Sequence, residues 1–433
     1  MQVYKYPKRK NWPDILKRPQ NSAEIAEEVV TEILKAVRAS GDAALFDFCR
    51  KFDGVELDDL RVSENEFEWT IEEVTSELKS AIQLAIDNIT KFHQSQMIME
   101  PVVDTQPGVK CWRKSVPIVK VGLYIPGGTA PLFSTMLMLA IPAKIAGCSE
   151  ITLCTPPTKN GSINPVILYT ANELGLGKIF KLGGAQAVAA MAYGTESVPR
   201  VDKIFGPGNS WVTLAKQLVS RDGVAIDMPA GPSEVVVVAD KSANPEFVAV
   251  DLLSQAEHGV DSQVILVTDD ETLVRDVQNA IQRQLVDLPR KEIAENALNN
   301  RRIILLEKSS EMMEYVNAYA PEHLIIMTKN AAEMAEKIVN AGSVFIGPYT
   351  PESAGDYASG TNHTLPTYGY ARNYSGVSVD SFINKITFQS LTRDGLRVIG
   401  PAIETMAAAE GLDAHKNAVS IRLETLEKEF WNA

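Results

Sequence analysis

The sequence predicts an α/β protein with parallel sheets, divided into two large α/β domains and a separate tail. The first observation is a change of pattern at Ser115. From there short apolar runs recur, each followed by Gly or Pro and then by a helical stretch: Val119–Ile125, Glu150–Cys154, Lys178–Leu182, Lys203–Phe205, Val235–Ala239, Val264–Thr268, Ile303–Leu306, Leu324–Met327 and Val344–Ile346. Strands alternating with helices predict parallel sheets. The second observation is their number, too large for one open sheet. The third is the loss of this alternation after Gly376, where Pro401–Ala409 and Ala418–Trp431 are the clearest helices.

The elements before Ser115 are helical. Asn21 is placed as an N-cap with Glu24 completing a capping box. Ile25, Val29, Ile33 and Val37 follow at spacing four, giving one apolar stripe. Gly41 is placed to end this helix. Similar amphipathic helices fill Glu64 to Gln96. No fixed sequence period marks the α/β region as an internal duplicate.

Composition narrows the function. The 433 residues suffice for about two to four domains of roughly 150 residues. Forty-two basic residues against 55 acidic ones leave a formal charge of −13. Such a surface repels phosphate backbones, and nucleic-acid binding needs clustered cations. The one basic cluster, Lys5, Lys8, Arg9, Lys10, Lys17 and Arg18, is short and broken by Pro7 and Pro13, and reads as a surface arm. Met1–Trp12 has no apolar run of the secretory kind. The most apolar long stretch, Leu132 to Cys148, contains Pro142 and Lys144, short of a membrane helix. The expected location is the cytoplasm. Cys49, Cys111, Cys148 and Cys154 show no C-x-x-C spacing, so neither a thiolate zinc site nor a disulfide framework is indicated.

The chemistry concentrates around the histidines. In Ser254-Gln-Ala-Glu-His-Gly-Val-Asp-Ser-Gln263, Asn244-Pro245 is the expected N-cap and first helical residue, and Gly259 the expected helix-ending residue. Gln255 and His258 then share a face of the last turn. Two readings stand at this point: an imidazole interacting with free carbonyls at a helix C-terminus, or a metal ligand, for which a lone Gln beside His is a weak signal. Ala320-Pro-Glu-His-Leu324 sets Glu322 and His323 at a loop–strand junction, suited to proton transfer; the plainer reading is a solvated Glu beside a strand-edge His. The polar loop from Tyr349 to Thr364 offers Asp356 and His363 to a hard or borderline cation, and loops of this length are commonly functional. His415 precedes the last helix, whereas His93 falls inside a helix and reads as structural.

Three glycine stretches form a second group: Tyr124-Ile-Pro-Gly-Gly-Thr129, Leu182-Gly-Gly-Ala-Gln-Ala187 and Phe205-Gly-Pro-Gly-Asn-Ser210. Each lies between a strand and a helix, where backbone N–H groups can face an anion such as a pyrophosphate. None matches G-x-G-x-x-G. Singly they are tight turns; together they suit a nucleotide cleft.

These stretches together resemble the histidinol dehydrogenase family. The pieces that carry the resemblance are VGLYIPGGTAPLFST, KLGGAQAVAA, IFGPGNSWV, PAGPSE, SQAEHGVDSQ, APEHL, YTPESAGDYASGTNHTLPT and EGLDAHKNAVSIR, from about Val121 to Arg422. The resemblance implies two large incomplete Rossmann-like domains of the aldehyde-dehydrogenase kind, with small N- and C-terminal helical units, in an intertwined homodimer. It implies an N-terminal arm over 1–20, a first domain of 21–125 plus 237–376 with the zinc and substrate site, an NAD-binding domain over 126–236, and a helical unit of 377–433 reaching the partner subunit. The implied reaction is oxidation of L-histidinol through bound L-histidinal to L-histidine, with two NAD and one zinc per subunit. The implied zinc ligands are Gln255, His258, Asp356 and His415, the last from the partner subunit. Ser233, His363 and Glu410 match substrate contacts. Substrate is also expected at Gln255, His258, His323, Asp356 and His415. Tyr124, Gln186 and Asn209 match cofactor contacts. His323 would take the hydroxyl proton, and Glu322 would activate water for the second oxidation.

Alternatives of other classes remain at this level. A thiol-based aldehyde dehydrogenase would use Cys111 or Cys148. A nucleotide-binding scaffold or sensor would bind without turnover. A zinc hydrolase is disfavoured by the missing H-E-x-x-H helix.

Overall fold

The computed structural model describes residues 2–18, 23–70, 72–127, 131–299 and 301–431. They fall into two compact units: Met1–Gln96 with Ile118–Phe382, and Met97–Pro117 with Ile383–Ala433.

The first unit contains two parallel sheets. The larger runs, in spatial order, Gln2–Lys5, Arg302–Leu305, Gln263–Thr268, Glu234–Ala239, His323–Met327 and Ser343–Ile346. The smaller runs Ile179–Lys181, Glu150–Thr155, Lys120–Tyr124, Lys203–Phe205 and Ala225–Ile226. With the N-terminal strand set aside, both follow one order: third, second, first, fourth and fifth along the chain. That is the winding of a Rossmann-like sheet. The duplication is one of topology, which leaves no residue period for the sequence to show.

Every run expected as a strand forms one. Glu234–Ala239 is buried at all six positions, as a parallel strand covered on both faces must be. Val235 and Val237 pack with Val248, Leu252 and Val277. Val236 and Val238 point the other way, to Met312, Tyr315 and Tyr319. This alternation is the period-two pleat, and burying each valine is worth about 1.5–3 kcal/mol.

Several expectations are corrected. The presumed surface arm begins with an edge strand, since Gln2–Lys5 pairs in parallel with Arg302–Leu305. One expectation in this region holds: within Ala23–Phe48 the backbone is non-helical at Gly41, φ 53°, so the first helix ends there and a second runs on to Phe48. A side chain at Gly41 would strike the Glu196 carboxylate, which accepts the Asp42 N–H at 2.8 Å. The divisions placed after 125 and 236 do not follow sheet membership. Lys120–Tyr124 is a central strand of the smaller sheet, and Val30, Leu34 and Leu45 share a core with Phe180, Val188 and Ile204. Glu234–Val236 belongs to the larger sheet. Strand pairing and core packing decide these divisions. Asn21, the expected cap, and Gly128 and Thr129 lie outside the described residues, as does the side chain of Glu24.

The second unit is less purely helical than its sequence suggests. Ile383–Leu391 pairs antiparallel with Val109–Pro117, which also pairs with Val103–Gln106. Two helices follow, Arg393–Ala409 and Asp413–Trp431. The first is capped by Thr392, whose side chain accepts the Gly395 N–H at 3.0 Å, and it runs through Pro401. The strands Val103–Gln106 and Val109–Pro117 are joined by a turn at Pro107-Gly108, with Gly108 at φ 81°.

Candidate active site

The site assembles where the larger sheet's central strands begin. Glu234 and His323 open adjacent strands, with His323 opposite Val235. The helix Pro245–Ala256 returns to the same edge. Asn244 caps it by accepting the Glu246 N–H at 2.9 Å, and Pro245 stands in its first turn. It ends at Ala256, with Glu257 rather than Gly259 as C-cap. Asp251 and Gln255 sit one turn apart on it, and His258 follows. The polar loop contributes Glu352, Asp356 and His363. Ser233 is half-buried directly before Glu234, and its carbonyl accepts the Gln263 N–H at 2.9 Å.

His323 is buried among acids. Its Nδ1 lies 3.3 Å from the Glu234 carbonyl, 3.6 Å from Glu352 and 3.7 Å from Glu322, and its Nε2 lies 3.8 Å from Asp356. The carbonyl beside Nδ1 selects the tautomer with its hydrogen there, leaving a lone pair on Nε2. Nε2 has no hydrogen-bond partner among the described residues. Burial, with smaller contributions from His258 and His363, lowers the ring's pKa to about 3, so the imidazole is neutral.

The neighbouring carboxyls are shifted upward. Glu322 accepts the Glu234 N–H at 2.8 Å, but burial, then Glu234 and Asp356, push it well above the usual range. Glu352 is 1% exposed and is pushed up by burial and by Asp356, Glu322 and Asp251. Burial raises Asp356 and Asp251 each to about 7. His363 sits between Thr135 and Asp356: its Nε2 is 3.1 Å from Thr135 Oγ1 and its Nδ1 is 2.9 Å from the Asp356 carbonyl. Burial lowers it to about 4.

These donors suit a cation. One ligand atom each from His258, Glu352 and Asp356 falls within 4.8 Å of the others. His258 is exposed as a residue, yet one of its ring nitrogens lies near those carboxyls, and desolvation, then Arg290, lowers its pKa. Gln255 is 0% exposed, and neither its Oε1 nor its Nε2 has a partner among the described residues. A buried amide left wholly unsatisfied is rare, so Gln255 fits a site completed by a bound group. Glu352 was missed from sequence. Its signal was its spacing, four residues before Asp356 in the polar loop. Glu234 gave no signal, because it acts through its backbone.

The cofactor candidates gather on the smaller sheet. Tyr124 ends the strand Lys120–Tyr124. Its hydroxyl accepts the Gly184 N–H at 3.1 Å, at the start of the helix that carries Gln186, and burial pushes the phenol up to about 12. Asn209 caps Ser210–Ser220, accepting the N–H groups of Trp211 and Val212 at 3.1 Å each. Gly206 has φ 130°, and a side chain there would strike the Tyr124 carbonyl. A buried Lys216–Asp227 pair braces the turn: Lys216 donates to the Gly206 carbonyl and Asp227 accepts the Gly206 N–H, each at 2.8 Å. Lys120–Tyr124 and Lys203–Phe205 are the strands where this sheet's order reverses, and dinucleotides bind outside the carboxyl ends at such a point.

Glu410 and His415 belong to the second unit. Glu410 is the C-cap of Arg393–Ala409, His415 lies near the start of the last helix, and both are exposed. His93 is buried, its Nδ1 3.0 Å from the Ile89 carbonyl, consistent with a structural role. Burial pushes the Cys148 thiol up to about 11, opposite to a nucleophile's need.

Known proteins resemble the chain along nearly its whole length. The profile described as histidinol dehydrogenase matches residues 16–423. The chain belongs to the histidinol dehydrogenase family. It is 61% identical over 427 residues to the histidinol dehydrogenase of Bacteroides thetaiotaomicron, covering 99% of the chain and 100% of that relative. It is 52% identical over 418 residues to that of Escherichia coli O6:H1, covering 96% and 95%. The crystal structure of histidinol dehydrogenase from Elizabethkingia anophelis superposes with a TM-score of 0.97 at 55% identity, covering 99% of each chain. Membership of this family makes the chain an NAD-dependent dehydrogenase.

Proposed function

We propose that the chain oxidises L-histidinol through bound L-histidinal to L-histidine with two NAD, as the last steps of histidine biosynthesis, in a zinc-dependent cytoplasmic homodimer. The observation that carries the reading is the neutral, buried His323, whose Nε2 has no hydrogen-bond partner among the described residues and stands 3.8 Å from Asp356.

Gln255, His258 and Asp356 would hold the zinc, together with His415 of the partner subunit; Glu410 of the partner subunit would meet substrate. When bound, the metal supplies a template that orients the substrate's nitrogens. Ser233 and His363 flank the same space, with His363 held at both ring nitrogens. NAD, when bound near Tyr124, Gln186 and Asn209, accepts each hydride. In the protein's own terms, His323 Nε2 takes the hydroxyl proton as the first hydride leaves carbon. Where ionised, the Asp356 carboxylate 3.8 Å from Nε2 favours the imidazolium that results. Glu322, which burial makes a stronger base when ionised, takes a proton from the water that adds to the aldehyde. As water adds, the His323 imidazolium returns its proton to the aldehyde oxygen; the neutral ring can then accept the hydroxyl proton of the hydrated aldehyde as the second hydride leaves, and the Glu322 proton passes to solvent.

The test is zinc content and histidinol oxidation measured together on His258→Asn and Gln255→Ala. Loss of zinc and activity together is expected. Full zinc occupancy in both variants would remove these residues from the ligand set.

A further inference from the structure

We propose that Arg18 and Glu234 are positioning residues for this reaction: their buried ion pair fixes the Glu234 main chain, which in turn holds Glu322 and His323. The inference rests on the catalytic roles proposed above for those two residues.

The Glu234 backbone touches both members of the pair. Its N–H donates to the Glu322 carboxyl at 2.8 Å, and its carbonyl lies 3.3 Å from His323 Nδ1. The tautomer and orientation of the proposed base therefore depend on where one peptide segment sits. The Glu234 side chain is 0% exposed and anchors that segment. Arg18 grips it with two parallel hydrogen bonds, Nε to Oε1 and Nη2 to Oε2, the second at 2.8 Å. The Tyr368 backbone N–H also donates to this carboxylate, tying in the chain beyond the polar loop.

Arg18 also holds the other side of the site. Its Nη2 donates to the Tyr319 carbonyl at 2.9 Å, and its guanidinium lies over the Tyr319 ring, 3.9 Å from the centroid. Ala320, the next residue, has φ 54°, a left-handed conformation unfavourable for a residue with a Cβ. Pro321 and then the Glu322–His323 pair follow. One guanidinium thus links the start of Glu234–Ala239 to the turn that launches His323–Met327. The segment bearing Arg18 is itself pinned, because Arg302 donates to the carbonyls of Ile15 and Lys17.

A buried ion pair is a weak device for stability alone, since apolar residues of similar volume serve as well or better. The planar fork of arginine supplies what they lack, a fixed direction between two segments. Both side chains are buried, Glu234 at 0% and Arg18 at 8% side-chain exposure.

The experiment uses the full zinc-loaded chain, NAD and L-histidinol. Arg18→Lys keeps the charge but loses the fork. The double variant Arg18→Met/Glu234→Gln removes the pair without stranding a buried charge. Zinc content, reduced-NAD binding and thermal midpoint are read beside kcat and KM. The expected result is a fall in kcat of roughly 10- to 100-fold for histidinol and for supplied histidinal, because small misplacements of reacting groups cost that much. KM and zinc content stay within about twofold. Unchanged kcat in either folded variant, whatever its thermal midpoint, makes the pair a brace of the fold and overturns the proposal. So does a rise in KM with kcat intact. If the unsubstituted chain fails to oxidise histidinol, the proposed function fails instead.

Discussion

His363 Nε2 lies 3.1 Å from Thr135 Oγ1. Thr135 belongs to the helix Phe133–Ala146, which follows the first strand of the smaller sheet. His363 sits in the polar loop beside Asp356. One hydrogen bond therefore couples a residue proposed to meet substrate to the α/β half that carries the cofactor candidates.

Thr135→Val removes that bond while keeping shape. A hydrogen bond of this kind is worth about 1 kcal/mol, so KM for histidinol should rise by about three- to tenfold with kcat little changed. Steady-state kinetics checks it; an unchanged KM would show that His363 is oriented by the Asp356 carbonyl alone.

Glu322→Gln should separate the two oxidations. If the carboxyl activates water, oxidation of supplied histidinal falls by roughly 10²- to 10⁴-fold, and oxidation of the alcohol falls far less. Equal losses would defeat the assignment.

Sharing of sites between subunits can be read by complementation. His258→Asn and His415→Asn chains, each inactive alone, should regain activity when refolded together, because one site of the mixed dimer keeps both ligands. No recovery in confirmed mixed dimers would place each site within one chain.

Asp251 gives a pH signature. Burial raises its carboxyl to about 7 from 3.8. A folded pKa above the unfolded one means that the native state holds the proton longer. The resulting stability is fully present below about pH 4 and is lost as pH rises through 7. Asp251→Asn has no such loss. In metal-free protein its thermal midpoint relative to the parent should climb from pH 4 to 7 and level off above. A difference that stays flat across that range would show that Asp251 is not desolvated in solution.

Sequence patterns revealed the strands because β-branched runs bounded by glycine have few other uses. They also placed Glu322, His323, Asp356 and His363 in chemically suggestive stretches. Gln255 became a candidate ligand only through family resemblance, since an amide near a helix end has many ordinary roles; its orphaned, buried amide is visible only in three dimensions. Arg18 looked like part of a basic surface arm. It is in fact the partner of Glu234, 216 positions away, and no local pattern encodes such a pairing. The strand Ile383–Leu391 was hidden for a similar reason: its partner Val109–Pro117 is remote, and most of its own side chains are exposed.

The most direct measurement of the central claim is the yield of reduced NAD per L-histidinol consumed, taken on purified protein with chelator and after zinc add-back. Two per substrate, lost on chelation and restored by zinc, is the predicted result. One per substrate would contradict the water-activating role of Glu322, and none in folded, zinc-loaded protein would contradict the substrate itself.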